Sequence, residues 1–136
     1  MDLYVNVKGC PVSFRSSYLK FNLFRLQILK GLNEDIKDLK EINFRSLETF
    51  REMSLILDEY DKPYNNGMKM FALYFDINGG IPSEECVSVL KSFGRVDPER
   101  FDKSNESENL WYRNNFVIWK KMLAFAIEIN EDIICS

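Results

Sequence analysis

Histidine is absent from this 136-residue chain. That removes every mechanism needing an imidazole base and every zinc site built on histidine. Cysteine is scarce. Cys10, Cys86 and Cys135 show no paired spacing, and an odd count gives no disulfide framework, which suits an intracellular, cytoplasmic setting. Long apolar runs are missing too. The longest, residues 70–75, falls far short of the roughly 18 residues of a membrane span. Met1-Asp2-Leu3-Tyr4 has neither the basic start nor the apolar stretch of a secretory signal, so no membrane partner is expected. An excess of positive charge is also lacking. Eighteen Lys and Arg against 21 Asp and Glu leave a net charge of −3, which argues against generic nucleic-acid binding. No glycine-rich phosphate loop is present, and no cofactor or metal is expected.

What the chain does have is apolar and aromatic mass. Hydrophobic residues make up 46% and include eleven Phe, too much for a disordered chain. A chain of this length buries roughly two-thirds of its unfolded surface, so it needs no covalent staples. No internal repeat or linker divides it, and residues 1–136 read as a single domain. Charge is unevenly spread. Residues 1–31 carry five bases (Lys8, Arg15, Lys20, Arg25, Lys30) against Asp2 alone, whereas residues 32–66 carry nine acids against five bases.

Residues 2–8 alternate with Leu3, Val5 and Val7 on one face, the mark of a half-buried strand ended by Gly9-Cys10-Pro11. Ser16 or Ser17 then caps a helix, along which Leu19, Leu23 and Leu26, and also Phe21, Phe24, Ile28 and Leu32, recur at helical spacing. Gly31 lies near its end. Residues 33–43 read as a short surface helix or a loop, and residues 44–60 as a second clear helix. Residues 68–75 are open between a buried helix and a buried strand, with Met, Ala and Leu favouring helix. Residues 76–80 form a tight turn. Pro82 and Ser83 open another helix with an apolar face of Val87, Leu90 and Phe93, joined by Val89, that stops at Gly94. Residues 95–109 read as the longest loop and the candidate mobile surface. A last helix from about Glu108 carries Tyr112, Phe116, Trp119, Leu123 and Ala126 on one face. Residues 133–135 then form a terminal strand that can pair with residues 2–8. The expected fold is α+β: a mostly helical domain of four or five helices, with a small sheet formed by the two termini.

Four constellations bear on chemistry. The stretch from Asp76 through Asn78 and Gly79 to Glu85 looks like a calcium loop, but the count defeats it. The bidentate Glu of that loop lies eleven residues after the first Asp, whereas Glu85 lies nine after Asp76. A plain turn and helix start is the favoured reading. Ser13, Arg15, Ser16, Ser17 and Tyr18, with Arg25 one helix face away, supply guanidinium and hydroxyl donors that could hold a small anionic, nucleotide-like ligand. In that reading Arg15, Ser16, Tyr18, Arg25, Asp76 and Asn78 are the binders. The competing reading pairs Arg25 internally with an acid. Cys86 lies in the first turn of a helix, where the dipole can lower a thiol pKa, but it has no histidine to activate it and reads more simply as a core residue. Trp111-Tyr112-Arg113, placed after the 95–109 loop, has the composition of an interface hot spot, and Trp111 and Tyr112 should then be exposed.

Phe14-Arg15-Ser16-Ser17-Tyr18, with Phe21 and Arg25 behind it, resembles the opening of a group of small bacterial and phage proteins that read Phe-Arg-x-Ser-Tyr. That group also carries His-Ser-Asp-Cys-Asp-Gly-Glu-Leu with a Glu-Cys pair a few residues on. Here residues 74–81 fall in that place and Glu85-Cys86 keep the distance, while Tyr74, Asn78 and Gly80 stand for the group's His, second Asp and Glu. The resemblance implies a fold and a setting, the conflict systems of bacteria and phages, rather than a reaction. Three functions follow in order. The first is a non-enzymatic protein that binds and inhibits or regulates another protein, of immunity, antitoxin or anti-defence type. The second is an anionic small-molecule binder. The third is a small hydrolase-type enzyme using Asp76 as base and Cys86 as nucleophile.

Overall fold

A computed structural model describes residues 2–32, 51, 54–55, 57–58, 67–73, 75 and 79–136. The N-terminal alternation becomes strand β1, Asp2–Val7, with Leu3, Val5 and Val7 fully turned inward. The C-terminal strand β4, Ile133–Cys135, pairs antiparallel with it, setting Val7 opposite Ile133 and Val5 opposite Cys135. Two further strands extend this pairing of the termini. Strand β2, Phe14–Ser17, folds back on β1 with Val5 opposite Phe14, and the short β3, Gly80–Ile81, lies on the far side of β4. The sheet order is β2-β1-β4-β3, antiparallel throughout. Gly80 is required where β3 meets β4. Its φ of 147° suits glycine, and a Cβ there would lie 2.0 Å from the Ile133 carbonyl oxygen.

Among the described residues the helices are α1, Tyr18–Leu32; α2, Gly67–Ala72; α3, Ser83–Phe93; and α4, Glu106–Ile129. The fold is therefore α+β and mostly helical, with a sheet that includes both terminal strands. The Ser17 side-chain oxygen accepts the Lys20 N–H and caps α1. The ambiguous 68–75 stretch resolves to helix over α2. Helix α3 starts where Pro82 and Ser83 place it, but its cap comes from far along the chain. Ser83 N–H donates to Asp132 Oδ1 at 2.8 Å, and Ser83 Oγ donates to Asn130 Oδ1. Asn130 is itself the left-handed residue that ends α4 (φ 56°), so one link fastens the start of α3 to the end of α4. No helix among the described residues is long and apolar enough to cross a membrane.

Helices α1 and α4 pack on the sheet, α3 packs on α4 and α2 on α3, and the Trp119 ring is fully buried among them. Phe14, Phe21, Phe71 and Phe75 surround it at centroid distances of 4.9 to 6.2 Å, mostly tilted or edge-on, the arrangement that ring quadrupoles favour. Among the described residues, Phe14, Phe21, Phe71 and Phe75 thus share one aromatic cluster.

Four expectations are corrected. Residues 14–17 are a strand rather than a helix lead-in. On α1 the buried residues include Phe21, Phe24, Arg25, Leu26, Ile28 and Leu29, while Leu19 and Leu23 are exposed, because the helix lies on the sheet through its phenylalanine side. Val87 on α3 is exposed, and Cys86, Val89, Ser92 and Phe93 face the core instead. The 95–109 segment is not loose surface. Val96 and Phe101 are buried, the Asp97 N–H donates to the Gly31 carbonyl at 2.9 Å, and a 3₁₀ turn at Pro98–Arg100 is capped by Asp97. Gly31 permits this approach, since a Cβ there would lie 2.5 Å from Val96 Cγ1. The expected helix over 44–60 falls almost wholly outside the described residues, as does all of 33–43.

Candidate protein-binding site around Trp111

Helix α4 begins two residues earlier than its apolar pattern suggests, because Asn105 caps it by accepting the Glu108 N–H at 3.1 Å. This fixes the first two turns. Tyr112 starts the buried stripe, and Trp111, one residue earlier and 100° round the helix, falls on its flank. One face of the Trp111 ring packs on Phe14 at 6.1 Å, with Phe24 at 6.0 Å. Across the ring lies Lys20 of α1, its ammonium 4.8 Å from the centroid, a cation–π contact. Leu23 follows Lys20 along α1 with 39% of its surface exposed, and Leu19, one turn before Leu23, is 71% exposed. Lys20, Leu23, Glu108, Trp111 and Tyr112 line a dimple of only about 20 Å³. That is room for about one water, far below the several hundred Å³ of an organic ligand's pocket. The dimple is therefore too small to be a metabolite pocket.

The expected trio divides. Trp111 stays half-buried at the surface. Tyr112 does not meet the expectation of exposure: it is 6% exposed, and burial, with Glu108 and Asp102 nearby, pushes its hydroxyl pKa up. Arg113 emerges 200° round from Trp111 and donates to Glu99 at 3.1 Å, so it braces the 95–109 segment. Lys20 and Leu23 take their places beside Trp111, with the exposed Leu19 one turn before Leu23 on α1. Their signal in the sequence was the second leucine stripe of α1, which competed with the phenylalanine stripe for the core.

The anion cluster also comes apart. Alternation along β2 turns Arg15 outward, where its guanidinium stacks over Tyr4 at 5.4 Å, and turns Ser16 inward, its hydroxyl donating to the Ser17 carbonyl. Arg25 is 1% exposed. Its guanidinium covers the Phe21 ring at 4.4 Å and donates to the Ala72 carbonyl and to Asn22 Oδ1. Arg25 thus serves the interior through a carbonyl, an amide oxygen and a phenyl ring, and cannot join the exposed Arg15 on one ligand. Tyr18 is half-buried at the start of α1. Asp76 and Asn78 lie outside the described residues.

Cys86 is completely buried, with its sulfur facing the Ile81 and Pro82 carbonyls. Burial first, then Asp132 and Glu84, push its thiol up to about 12. The helix start does not activate it; desolvation and neighbouring carboxylates win. A thiol so firmly protonated is a poor nucleophile. Among the described residues no group of three or more His, Cys, Asp or Glu converges on a metal position.

No protein-family model, curated protein or solved structure matches the chain. The likeness to the small bacterial and phage proteins rests on its motif residues alone.

Proposed function

We propose that this chain is a non-enzymatic protein-binding domain that blocks or regulates another protein, with Trp111, Leu19, Lys20 and Leu23 as its contact surface. The observation that carries the reading is the mounting of Trp111. An aromatic side chain half-buried against core phenylalanines, with Lys20 over its ring and exposed Leu23 beside it, is already ordered before a partner arrives. It contributes contact area at little further entropic cost. The dimple beside it is too small for a metabolite, and the buried Cys86 thiol does not favour an enzyme. The motif resemblance adds the setting of bacterial and phage conflict, in which small immunity, antitoxin and anti-defence proteins act by binding.

The test is affinity capture from lysate of the native source, with wild type and a Leu19→Glu/Leu23→Glu variant side by side. One stoichiometric protein is expected with wild type and should be lost with the variant, both baits keeping the same Tm. Trp111→Ala should weaken that complex by about 30-fold or more, the scale of an interface hot spot. A partner retained equally by the double variant, or no stoichiometric partner at all, overturns the proposal.

A further inference from the structure

Helix α4 carries two seams of the same period on opposite sides. Tyr112, Phe116, Trp119, Leu123 and Ala126 repeat at spacings of four and three, and all are buried. Leu110, Asn114, Val117, Lys121, Ala124 and Glu128 repeat at the same spacings, and all are exposed. The first seam faces the core. The second has the four–three spacing with which helices pack on other helices, and its apolar positions Leu110 and Val117 are 58% and 50% exposed.

Helix α3 runs antiparallel beside this outer seam. Phe93 stacks on Phe116 at 5.7 Å at one end, and Ser83 bonds Asn130 at the other. Between the two helices lies an open groove of about 360 Å³ lined by Leu90, Val117, Lys120, Lys121 and Ala124. Its floor is aliphatic. Lys120 is held at the edge, its ammonium 5.1 Å from the Phe116 ring, and Lys121 stands on the exposed seam. On α3 and α4 themselves the acids lie in the first or last turn. Glu128 lies one turn beyond Ala124, and Glu84 one turn before Val87 on α3.

We propose that the α3–α4 groove takes an amphipathic helix of a partner protein, with its apolar face on Leu90, Val117 and Ala124 and acidic residues on its flank against Lys120 and Lys121. An open trough between two antiparallel helices accepts a third helix. The lysine pair selects acids, because a basic flank would set like charges together in a partly desolvated groove. A second copy of this chain is a poor occupant. Antiparallel self-pairing layers Val117 on Asn114 or Lys121 of the other copy, and parallel pairing sets Lys121 on Lys121 and Glu128 on Glu128. The groove is separate from the Trp111 surface and stands or falls apart from it.

The probe is a labelled synthetic helix of about 18 residues with leucines at the four–three positions and glutamates on both flanks. It is read by fluorescence anisotropy against the full chain, alongside the same peptide with lysines in place of the glutamates. The glutamate peptide should bind and the lysine peptide should not. Val117→Asp should abolish binding, and Lys121→Glu should weaken it at least tenfold, with Tm unchanged because both side chains are exposed. Trp111→Ala should leave this binding intact. Absence of binding, equal binding of both peptides, or indifference to Val117→Asp overturns the proposal. So does a concentration-dependent dimer in sedimentation that Val117→Asp dissolves, since the groove would then belong to self-association.

Discussion

Two tryptophans lie eight residues apart on α4 and have opposite uses. Trp119 sits in the middle of the aromatic cluster and is fully buried. Trp111 has one face on the same cluster and the other under Lys20. A ring that is buried on every side contributes to stability. A ring anchored by the core on one side and covered only by a lysine side chain on the other contributes less to the fold and stays at the surface. The difference comes from where each falls relative to one stripe: Trp119 is on it, and Trp111 is 100° away.

The largest effect tests that difference directly. Trp119→Ala should destabilise the protein by about 3–5 kcal/mol, the usual loss for a buried large aromatic. Trp111→Ala should cost no more than about 1.5 kcal/mol. Urea denaturation followed by circular dichroism measures both. If Trp119→Ala does not fold, acrylamide quenching of the single-tryptophan variants Trp111→Phe and Trp119→Phe makes the same test. The Trp119 emission should resist the quencher and the Trp111 emission should yield to it. Equal losses of stability, or equal quenching, would break the comparison.

Titratable groups show the contrast again at smaller scale. Cys86 is interior and its thiol is pushed up to about 12 from an ordinary 9.0, chiefly by burial. Above pH 9 the unfolded chain ionises this thiol while the folded protein keeps it protonated. Stability from this source is therefore complete below about pH 9 and is lost as pH rises from about 9 toward about 12. The loss is roughly 1 kcal/mol at pH 10. Tyr112, whose pKa is also raised, adds in the same direction at higher pH. Urea midpoints at pH 8, 9 and 10 should fall less steeply in Cys86→Ala than in wild type. Parallel curves would mean that the thiol is more accessible than its burial indicates.

The parts of this architecture visible in the sequence are those where pattern and burial coincide. Leu3, Val5 and Val7 alternate because β1 has one wet face, and the stripe from Tyr112 to Ala126 repeats because α4 lies on the core along its length. The parts that escape depend on choices between equal patterns or on distant partners. Helix α1 offers two apolar stripes, and only its packing on the sheet decides that phenylalanines go in and Leu19 stays out. Strand β2 is four residues long, and Phe-Arg-Ser-Ser has too little alternation to outweigh the Ser17 cap beside it. Arg25 is buried because its partner is the Ala72 carbonyl, 47 residues away, which no local spacing reveals. Of the candidate surface, Trp111 was legible from composition. Leu19, Lys20 and Leu23 were not, because exposure is decided by what fails to cover a residue.

The smallest effect belongs to the surface. Glu99 accepts from Lys103 and from Arg113, each at 3.1 Å, and these two cations, Lys103 first, hold its carboxyl below the usual range. The stabilising effect of such a depressed pKa is present above the ordinary value of 4.5 and is lost as pH falls through the lower folded value. The side chain is 61% exposed, so solvent screens the pair strongly. Glu99→Gln should therefore move Tm by no more than about 2 °C, and 1 M salt should erase even that. The 95–109 segment should keep its place in this variant, since its anchors are the buried Val96 and Phe101, the latter edge-on to Phe116 at 5.6 Å. Hydrogen exchange of the Asp97 amide, which donates to Gly31, reports on that anchoring. Unchanged protection in Glu99→Gln and lost protection in Phe101→Ala would assign the hold to packing. The reverse result would make the charged clamp the structural element and would place Arg113, rather than Trp111, at the centre of what α4 presents to solvent.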